Sequence, residues 1–356
     1  MSAPPQDRIP AAPDGLPTDL FDYELPPELI AQTPAEPRDA SRLLVLHRAT
    51  GQIEHARFRD VGRWLGPSDV LVVNRSRVVP ARLMARRRPG GGAAEILLLR
   101  RRDAGLWEAL VRPGRKLGPG SLVDLDDGIV GEVVERTAAG GRLLRFAGPQ
   151  EDVDDAVLGL GRLPLPPYIH GYAGDPERYQ TVYADEPGSA AAPTAGLHFT
   201  PELLAALQAR GIGLATVTLQ IGLDTFRPVK ADDLRQHEIH RETCSVPPET
   251  VRAIAETRAR GGRVVAVGTT TVRSLETAAA DGLSERGWSG ETALYILPGY
   301  QFRAVDALVT NFHLPKSTLL ALISAFAGRG LILDAYREAI RERYRFFSFG
   351  DAMLIL

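Results

Sequence analysis

The pattern of apolar and polar positions divides the chain into two kinds of region. Between residues 67 and 155 the apolar runs are short, and Gly or Pro residues separate them. These runs span residues 70–73, 96–99, 106–111, 129–134 and 143–146. Short runs with turn residues at this spacing are typical of antiparallel strands in a barrel or sandwich. Because the region lies within the chain, we predict an inserted small antiparallel β-barrel domain at residues 67–155.

After this insert, helical patterns alternate with strand patterns. The pattern predicts helices at residues 201–210, 247–260, 271–280, 317–327 and 333–344, and strands at 214–221 and 263–267. Strands that alternate with helices predict an α/β or α+β main domain, split in sequence into residues 20–66 and 156–356. Residues 1–19 are rich in Pro and Ala and lack an apolar signal core, so we expect a disordered leader.

Length and composition limit the class of protein. A chain of 356 residues, 44% of them hydrophobic, is long enough for two or three domains with sizeable cores. Its single cysteine, Cys244, excludes an intramolecular disulfide and a thiolate-rich zinc site, and it favours a reducing compartment. No apolar run approaches the ~20 residues that span a bilayer. We expect a cytoplasmic monomer without membrane contact.

Charge is unevenly spread along a chain whose net charge is −2. Residues 75–116 contain twelve Lys and Arg residues against three acidic residues. A local basic stretch on a near-neutral protein is typical of a surface that binds a phosphate backbone. Solvated strand faces, balanced by acids such as Asp124, Asp126 and Asp127, would give the same composition, and the sequence does not decide between the two.

Three short segments combine hydroxyl groups, residues of fixed geometry and titratable side chains. They are residues 193–200, 268–276 and 310–318. Such combinations predict a site built from several loops. In the second segment a strand leads through Gly268 into a helix, whose free N–H groups suit a carboxylate or phosphate. No lysine follows at the spacing of a Walker A loop, and a plain βα turn with an Arg273–Glu276 ion pair is the alternative.

Two of these segments contain a histidine. His198 precedes a helix start, where the helix dipole lowers the pKa of a general acid or base. Asn311, His313 and Lys316 likewise precede the helix predicted from residue 317. A structural histidine with its hydrogen bonds inside the core explains His198 equally well.

Residues 237–242 contain two histidines and two glutamates. His237 and His240 are three positions apart rather than four, so the segment does not fit the zinc-protease pattern, and we expect no metal. Glu238 and Glu242 beside these histidines suit coupled acid–base chemistry instead. A polar strand end is the structural alternative.

Together with residues 74–83 and 344–353, the three polar segments resemble the S-adenosylmethionine:tRNA ribosyltransferase-isomerase family of the bacterial queuosine pathway. The agreement runs in order from residues 21–26 to the C-terminus, which makes it far more specific than a single motif. The resemblance implies a barrel-like α/β main domain, split in sequence, with an inserted β-barrel. It also implies that S-adenosylmethionine donates a ribosyl moiety rather than a methyl group.

The acceptor in that family is 7-aminomethyl-7-deazaguanine at the wobble position of a tRNA. The products are epoxyqueuosine in tRNA, adenine and methionine. The resemblance therefore implies S-adenosylmethionine as co-substrate, no separate cofactor, and the tRNA anticodon arm as partner. The reaction needs a base for the acidic proton next to the sulfonium, an acid or hydrogen bond for the departing adenine, and a place for the flipped-out base.

Residue type and placement give three groups of candidate site residues. The group expected to transfer protons, or to orient the residues that do, is His198, His240, His313, Glu238 and Glu242. The group expected to bind S-adenosylmethionine is Thr194, Gly196, Gly268, Thr269, Thr270, Arg273 and Asn311. The group expected to bind the modified base or its tRNA is Asn74, Arg77, Arg82, His237, Lys316, Phe347 and Asp351.

The chain departs from the family pattern at three positions. Gln220 and Asp224 stand where many members have His and Gly, and Arg75 replaces a small polar residue. Gln220 removes one proton carrier, so a divergent paralogue with another nucleoside or RNA acceptor stays open. A methyltransferase is a further alternative, although no clean acidic residue follows a Gly-rich loop. A non-catalytic RNA-binding protein, resting on the basic insert, would not need the histidine-bearing segments.

Overall fold

The computed structural model describes residues 15–137, 140–222, 229–239 and 241–356. Strands and α-helices are numbered along the chain within these ranges. They are β1 (Arg42–His47), β2 (Gln52–Arg57), β3 (Val70–Asn74), β4 (Ser76–Val78), β5 (Arg82–Arg88), β6 (Ala93–Asp103), β7 (Leu106–Arg112), β8 (Leu122–Asp124), β9 (Val130–Arg136), β10 (Arg142–Ala147), α1 (Val153–Gly159), β11 (Glu186–Ser189), α2 (Pro201–Ala209), β12 (Gly213–Leu219), β13 (Glu242–Val246), α3 (Pro248–Ala259), β14 (Val264–Val267), α4 (Thr269–Ala280), β15 (Trp288–Thr292), β16 (Ala307–Asn311), α5 (Thr318–Ala327), α6 (Arg329–Arg341) and β17 (Ala352–Ile355).

The main domain is built on a mixed sheet of nine described strands, in the order β15-β13-β12-β3-β14-β16-β17-β1-β2. Its centre is parallel, since β3 pairs in parallel with β12 and β14, and β14 pairs in parallel with β16. Every residue of β3, β14 and β16 is buried. Strands covered on both faces have continuous apolar runs, as in β14. The predicted α/β main domain is confirmed.

Alternate side chains of the central strands enter two separate cores. Val70 and Val72 pack into the core that α3, α4, α5 and α6 cover. Leu71 and Val73 pack into the second core, with Phe58 and α2. This division follows from the two-residue period of a strand. Because apolar cores cover both faces of the sheet, its polar groups can contact a ligand only at the strand ends.

The insert is a closed antiparallel barrel with the strand order β10-β7-β6-β5-β8-β9. Apolar side chains such as Leu83, Ile96, Val123 and Leu144 fill its interior. The predicted β-barrel is therefore confirmed.

The structure corrects both predicted boundaries of this insert. The run at residues 70–73 forms β3 in the main sheet, so the barrel begins at Arg82 rather than near residue 67. At the other end, Val157 of α1 packs into the barrel core, so the unit extends beyond residue 155. β3 has five residues and is as short as a barrel strand, so run length could not separate the two domains.

The predicted disordered leader, residues 1–19, is wrong for residues 15–19. Residues 1–14 lie outside the described ranges, whereas Leu16 and Thr18 are buried in the main domain. The backbone N–H of Thr18 donates to the carbonyl of Asp232 at 2.8 Å. Residues 15–19 are therefore part of the fold.

The predicted helices are present, with some ends displaced. α2 begins after Thr200, whose hydroxyl accepts a hydrogen bond from the Leu203 N–H at 3.1 Å, as its capping pattern predicts. α6 begins at Arg329, ahead of the predicted residue 333, because Gly328 turns the chain directly from α5 into α6. Within the described residues no single helix is long and apolar enough to cross a bilayer, and α5 and α6 reach that length only as a pair bent by 113°.

Candidate functional site

A cleft opens at the edge of the main sheet where the parallel strands end. β12, β3, β14 and β16 run in one direction, so their carboxyl ends lie side by side. Ligands of open α/β sheets bind at this edge. The predicted site residues that line the cleft are Thr194, Gly268, Thr269, Thr270, Asn311, His313 and Phe347.

One wall of the cleft is the first turn of α4. Gly268 joins β14 to this helix with a φ of +91°, a conformation that favours glycine. No side chain caps the helix, so its first N–H groups, beside Thr269 and Thr270, carry the positive end of the helix dipole without an intrahelical partner. This wall suits an anionic or electron-rich group.

Asn74 supports the cleft from behind rather than lining it. Its Oδ1 accepts hydrogen bonds from the backbone N–H groups of Ser76 and Leu219, each at 3.1 Å. Its Nδ2 donates to the carbonyl of Leu219 at 3.1 Å and to Thr270 Oγ1 at 3.4 Å. This fully buried amide thus ties the ends of β3 and β12 to the start of α4.

Thr194 and Asn311 line a second wall of the cleft, and hydrogen bonds link them to His198 and Ser41 behind it. Thr194 Oγ1 donates to Asn311 Oδ1 at 2.8 Å, and Asn311 Nδ2 donates to His198 Nε2 at 3.2 Å. His198 Nδ1 lies 2.8 Å from Ser41 Oγ. Since Nε2 accepts from an amide, the proton of the neutral ring is on Nδ1 and is donated to Ser41. Both ring nitrogens are therefore used, and His198 faces a small pocket beside Arg38 instead of the cleft.

Burial keeps His198 neutral. Loss of hydration, together with the positive charges of Arg345 and Arg38, lowers the pKa of the imidazole to about 3. A neutral ring with both nitrogens hydrogen-bonded holds the Asn311 amide in place, and it has no nitrogen left for a ligand. Of the two interpretations open from the sequence, the structural histidine fits the observed contacts.

Among the described histidines, His313 is the one that lines the cleft. Its Nε2 lies 2.8 Å from Thr310 Oγ1, and its backbone N–H donates to the hydroxyl of Tyr336 at 2.8 Å. The hydroxyl of Tyr23 donates to its carbonyl. Burial lowers the pKa of the imidazole to about 3, so the ring is a neutral hydrogen-bonding group at neutral pH.

An aromatic surface completes the cleft. The ring centroids of Phe347 and Tyr168 lie 4.8 Å apart, and both residues line the cleft. Phe347 has a φ of +70°, a conformation that costs a non-glycine residue about 1–3 kcal/mol. Two hydrogen bonds hold this conformation. The Phe347 N–H donates to the carbonyl of Phe312 at 3.1 Å, and the Phe347 carbonyl accepts from Asn311 Nδ2 at 3.3 Å. Aromatic faces of this kind stack with nucleobases.

Two predicted residues near the cleft point away from it. Lys316 forms an ion pair with Asp19 at 2.7 Å, on the surface. Asp351 is buried and accepts hydrogen bonds from the backbone N–H groups of Arg42 and Arg345, each at 2.8 Å. Asp351 thus links β17 to the start of β1, and neither residue lines the cleft.

Three further predicted residues have structural partners. Arg77 pairs with Glu177 at 2.5 Å, and Arg82 donates to the carbonyl of Leu165 at 3.2 Å. Gly196 is buried, and a Cβ there would collide with the hydroxyl of Tyr183. The glycine is needed for packing under the cleft, and it does not line the cleft itself.

The segment at residues 237–242 is divided among several environments. The ring of His237 lies 5.9 Å from that of Tyr295, Glu238 is exposed, and Glu242 is buried. His240 lies outside the described residues, so its role stays a prediction, and Asp224 lies outside them too. Across the ranges that are described, no group of three or more His, Cys, Asp or Glu residues is arranged to hold a metal.

Glu242 and Arg273, which the sequence assigned to different roles, form one buried ion pair. Glu242 Oε1 also accepts a hydrogen bond from the Gly222 N–H at 3.0 Å. Arg273 is turned into a smaller pocket beside the cleft.

The candidate residues did not include six residues of the cleft wall. Thr310 and Ser317 belong to the predicted segment 310–318, whereas Tyr168, Ile221, Leu319 and Ser348 lie outside the three segments. Tyr168 follows the proline-rich stretch 163–167, and Ser348 follows Phe347, so their positions gave a weak signal. Ile221 and Leu319 are apolar residues that only the packing of strand and helix ends brings to the cleft.

Comparisons with known proteins agree with one another. The model of a family described as "Queuosine biosynthesis protein" matches residues 18–355. An S-adenosylmethionine:tRNA ribosyltransferase-isomerase of Symbiobacterium thermophilum is 59% identical over 338 residues, covering 94% of this chain and 98% of that protein. The enzyme of that name from Thermotoga maritima is 56% identical over 336 residues, with the same coverage of 94% and 98%. A crystal structure of S-adenosylmethionine tRNA ribosyltransferase from Thermotoga maritima matches 95% of this chain and 100% of that chain, with 46% identity and a TM-score of 0.56.

We predict that His198 makes the free energy of unfolding decrease in acid. Its imidazole has a pKa of about 3 when folded and an ordinary value of 6.5 when exposed, so unfolding takes up a proton between these values. The neutral ring stabilises the folded state fully at pH values above the ordinary pKa. This stabilisation is lost, by about 1.4 kcal/mol per pH unit, as the pH falls toward the pKa of the folded state. His198→Gln keeps an acceptor for Asn311 and removes this titration. Urea unfolding measures the free energy of unfolding at each pH. Its decrease between pH ~6 and ~4.5 should be about 1–2 kcal/mol smaller in the variant than in the wild type.

The same substitution at exposed His170 controls for the loss of a histidine as such. An identical pH dependence in the wild type and in His198→Gln would contradict a neutral His198 in the core.

Proposed function

The chain belongs to the queuosine biosynthesis protein family, and on this premise we propose that it catalyses the reaction for which its relatives are named. That reaction transfers and isomerises the ribosyl moiety of S-adenosylmethionine onto a tRNA. The observation that carries the proposal is the identity of 59% over 338 residues, which extends across both the barrel and the main domain. The finer assignment of the acceptor, 7-aminomethyl-7-deazaguanine at the wobble position, is part of the same proposal.

The proposed chemistry has three requirements. A base removes a proton from the carbon next to the sulfonium, and the nitrogen of the aminomethyl group bonds to an electrophilic carbon of the ribosyl moiety and loses a proton. Adenine and methionine depart as the ribosyl ring is rearranged, leaving epoxyqueuosine in the tRNA. The site must hold the sulfonium, stabilise the departing adenine by a hydrogen bond or a proton, and exclude water from the reacting carbon.

The cleft provides groups for binding and for the departing adenine, while the base stays the prediction made for His240. Thr269 and Thr270 line the cleft beside the free N–H groups of α4, which suit an electron-rich group of the bound substrates. Phe347 and Tyr168 would stack with a nucleobase. His313, a neutral ring in the cleft wall, would form the hydrogen bond to the departing adenine.

Seven of the twelve basic residues in the stretch form ion pairs with described residues, and five do not. Those in ion pairs are Arg75, Arg77, Arg82, Arg88, Arg100, Arg101 and Arg102. Arg112, Arg115 and Lys116 are exposed, and they form no ion pair with any described residue. They lie at or just after the C-terminal end of β7. Trp107, near the other end of this strand, borders a groove between the barrel and the main domain. We infer that these three cations contact the tRNA backbone.

The departures from the family pattern lie outside the cleft where they are described. Gln220 lines the groove between the barrel and the main sheet, and Arg75 pairs with Glu186 at 2.9 Å. Neither changes the walls of the cleft. Because relatives named for this reaction match nearly the whole chain, a paralogue with another acceptor, a methyltransferase and a non-catalytic RNA-binding protein are not favoured.

The proposal predicts that the purified protein, S-adenosylmethionine and tRNA carrying aminomethyl-deazaguanine yield free adenine together with a matching gain in tRNA mass. Chromatography of the nucleobase and mass spectrometry of the tRNA digest measure the two products. The same tRNA with unmodified guanine is the control. Binding of S-adenosylmethionine without either product would contradict the proposed function.

We predict a clear difference between two histidines. His313→Asn should lower kcat about 100-fold or more, because it removes a ring from the cleft wall that hydrogen-bonds in the transition state. His198→Gln should keep kcat within about tenfold of wild type, because it preserves an acceptor for Asn311. Both are measured by adenine release at saturating tRNA. Equal losses in both variants would contradict the different roles assigned to these residues.

We also predict that Arg115→Ala combined with Lys116→Ala weakens tRNA binding and lowers its salt dependence. Each phosphate contact removed should reduce the slope of log K against log salt by about one. Filter binding at several salt concentrations measures the slope, and Arg341→Ala, a variant of an exposed arginine on α6, is the control. An unchanged slope would place the tRNA backbone elsewhere.

A further inference from the structure

A smaller pocket, here named the side pocket, lies next to the cleft. Arg273 and Tyr295 line it, with Ile239, Leu294, Ile296 and Leu322 as apolar neighbours. Leu319 lines both the side pocket and the cleft, so the two cavities share a wall.

Arg273 has a donor that no described residue satisfies. The residue is only 6% exposed. Its Nε donates to the carbonyl of Leu294 at 3.1 Å, and its Nη1 pairs with Glu242. Its Nη2 is buried and has no hydrogen-bond partner among the described residues. Buried donors without partners are rare because they lose hydration without compensation, so this one indicates an acceptor that comes from outside the chain.

Tyr295 has a second donor of the same kind. Its hydroxyl oxygen is also buried without a hydrogen-bond partner in the described parts of the chain. Burial, with the negative charge of Asp233, raises the pKa of this phenol to about 12, so the hydroxyl keeps its proton. Two unsatisfied donors that line one pocket suit a group with two acceptor oxygens.

Charges of both signs surround the side pocket, since Arg273 is paired with Glu242 and the charge of Asp233 acts on Tyr295. No Asp or Glu is among the described residues that line the side pocket or the cleft. The first turns of α4 and α5 border the cleft through Thr269 and Ser317, and Arg273 and Thr318 continue the same helices into the side pocket. The positive ends of two helix dipoles therefore lie close to the guanidinium. Glu242 is engaged by the Nη1 of Arg273 and by the Gly222 N–H.

We propose that the side pocket binds the carboxylate of the methionyl group of S-adenosylmethionine through Arg273 Nη2 and the hydroxyl of Tyr295. The apolar neighbours would contact the methylene groups of the methionyl chain, which leaves the sulfonium and the adenosyl group in the cleft. The assignment rests on the proposed function for the identity of the ligand. It adds Tyr295 as a specificity residue that distinguishes S-adenosylmethionine from sulfonium nucleosides without a carboxylate.

The test compares the binding of S-adenosylmethionine with that of its decarboxylated form, which keeps the adenosyl group and the sulfonium. Calorimetric titration of the full chain gives the ratio of the two Kd values. Wild type should bind the decarboxylated compound at least tenfold more weakly, and Tyr295→Phe should reduce the ratio by about tenfold, the effect of one hydrogen bond to a charged group. Arg273→Lys, which keeps a positive charge beside Glu242, should also reduce it.

Tyr300→Phe is the matched control, because its hydroxyl donates to Glu276 at 3.1 Å and does not line the side pocket. The ratio should stay at the wild-type value in this variant. A wild-type ratio in Tyr295→Phe and Arg273→Lys, as expected if only water occupies the pocket, would overturn the assignment.

Adenine release, measured on the same preparations, separates this inference from the proposed function. Adenine release with an unchanged ratio in the variants would overturn the side-pocket assignment and leave the function standing. A reduced ratio without adenine release from wild type would support the side pocket and contradict the function. Absence of S-adenosylmethionine binding to wild type would contradict both.

Discussion

Parallel pairing of β12, β3, β14 and β16 brings four strand ends to one edge of the main sheet. The buried amide of Asn74 fixes this edge, since it bonds the backbone of β12 and the first turn of α4 at once. Both sheet faces are covered by apolar cores, so polar groups can meet a ligand only where strands end. The cleft, the free end of α4 and the side pocket all depend on this arrangement.

Burial gives the two described histidines near the cleft the same charge state but different roles. Loss of hydration lowers the pKa of His198 and of His313 to about 3, so neither ring carries a charge at neutral pH. His198 uses both nitrogens within the protein and fixes Asn311. His313 lines the cleft, so its contribution is that of a preorganised neutral hydrogen-bonding group.

Arg273 shows how one charged residue can connect structure and binding. Its ion pair with Glu242 joins α4 to β13, while another of its donors is left for an external acceptor. Removing a buried charge from such a pair would leave the other unpaired, which costs more than the pair itself contributes. Substitutions that keep the charge, or that change Tyr295 instead, therefore report on binding rather than on folding.

Local period, turn residues and residue type were enough to predict the two kinds of domain, the helices of the main domain and two of its strands, β12 and β14. They also carried the family resemblance and located the segments that carry the chemistry. The sequence by itself could not place β3, whose short apolar run suits either domain, since pairing between distant segments decides that. It also could not tell His198 from His313, or find Tyr295, because residue type does not fix the direction of a side chain. Only the tertiary structure decides which polar atoms are satisfied inside the protein and which are left for a ligand, since burial and hydrogen-bond partners come from residues far apart in the chain.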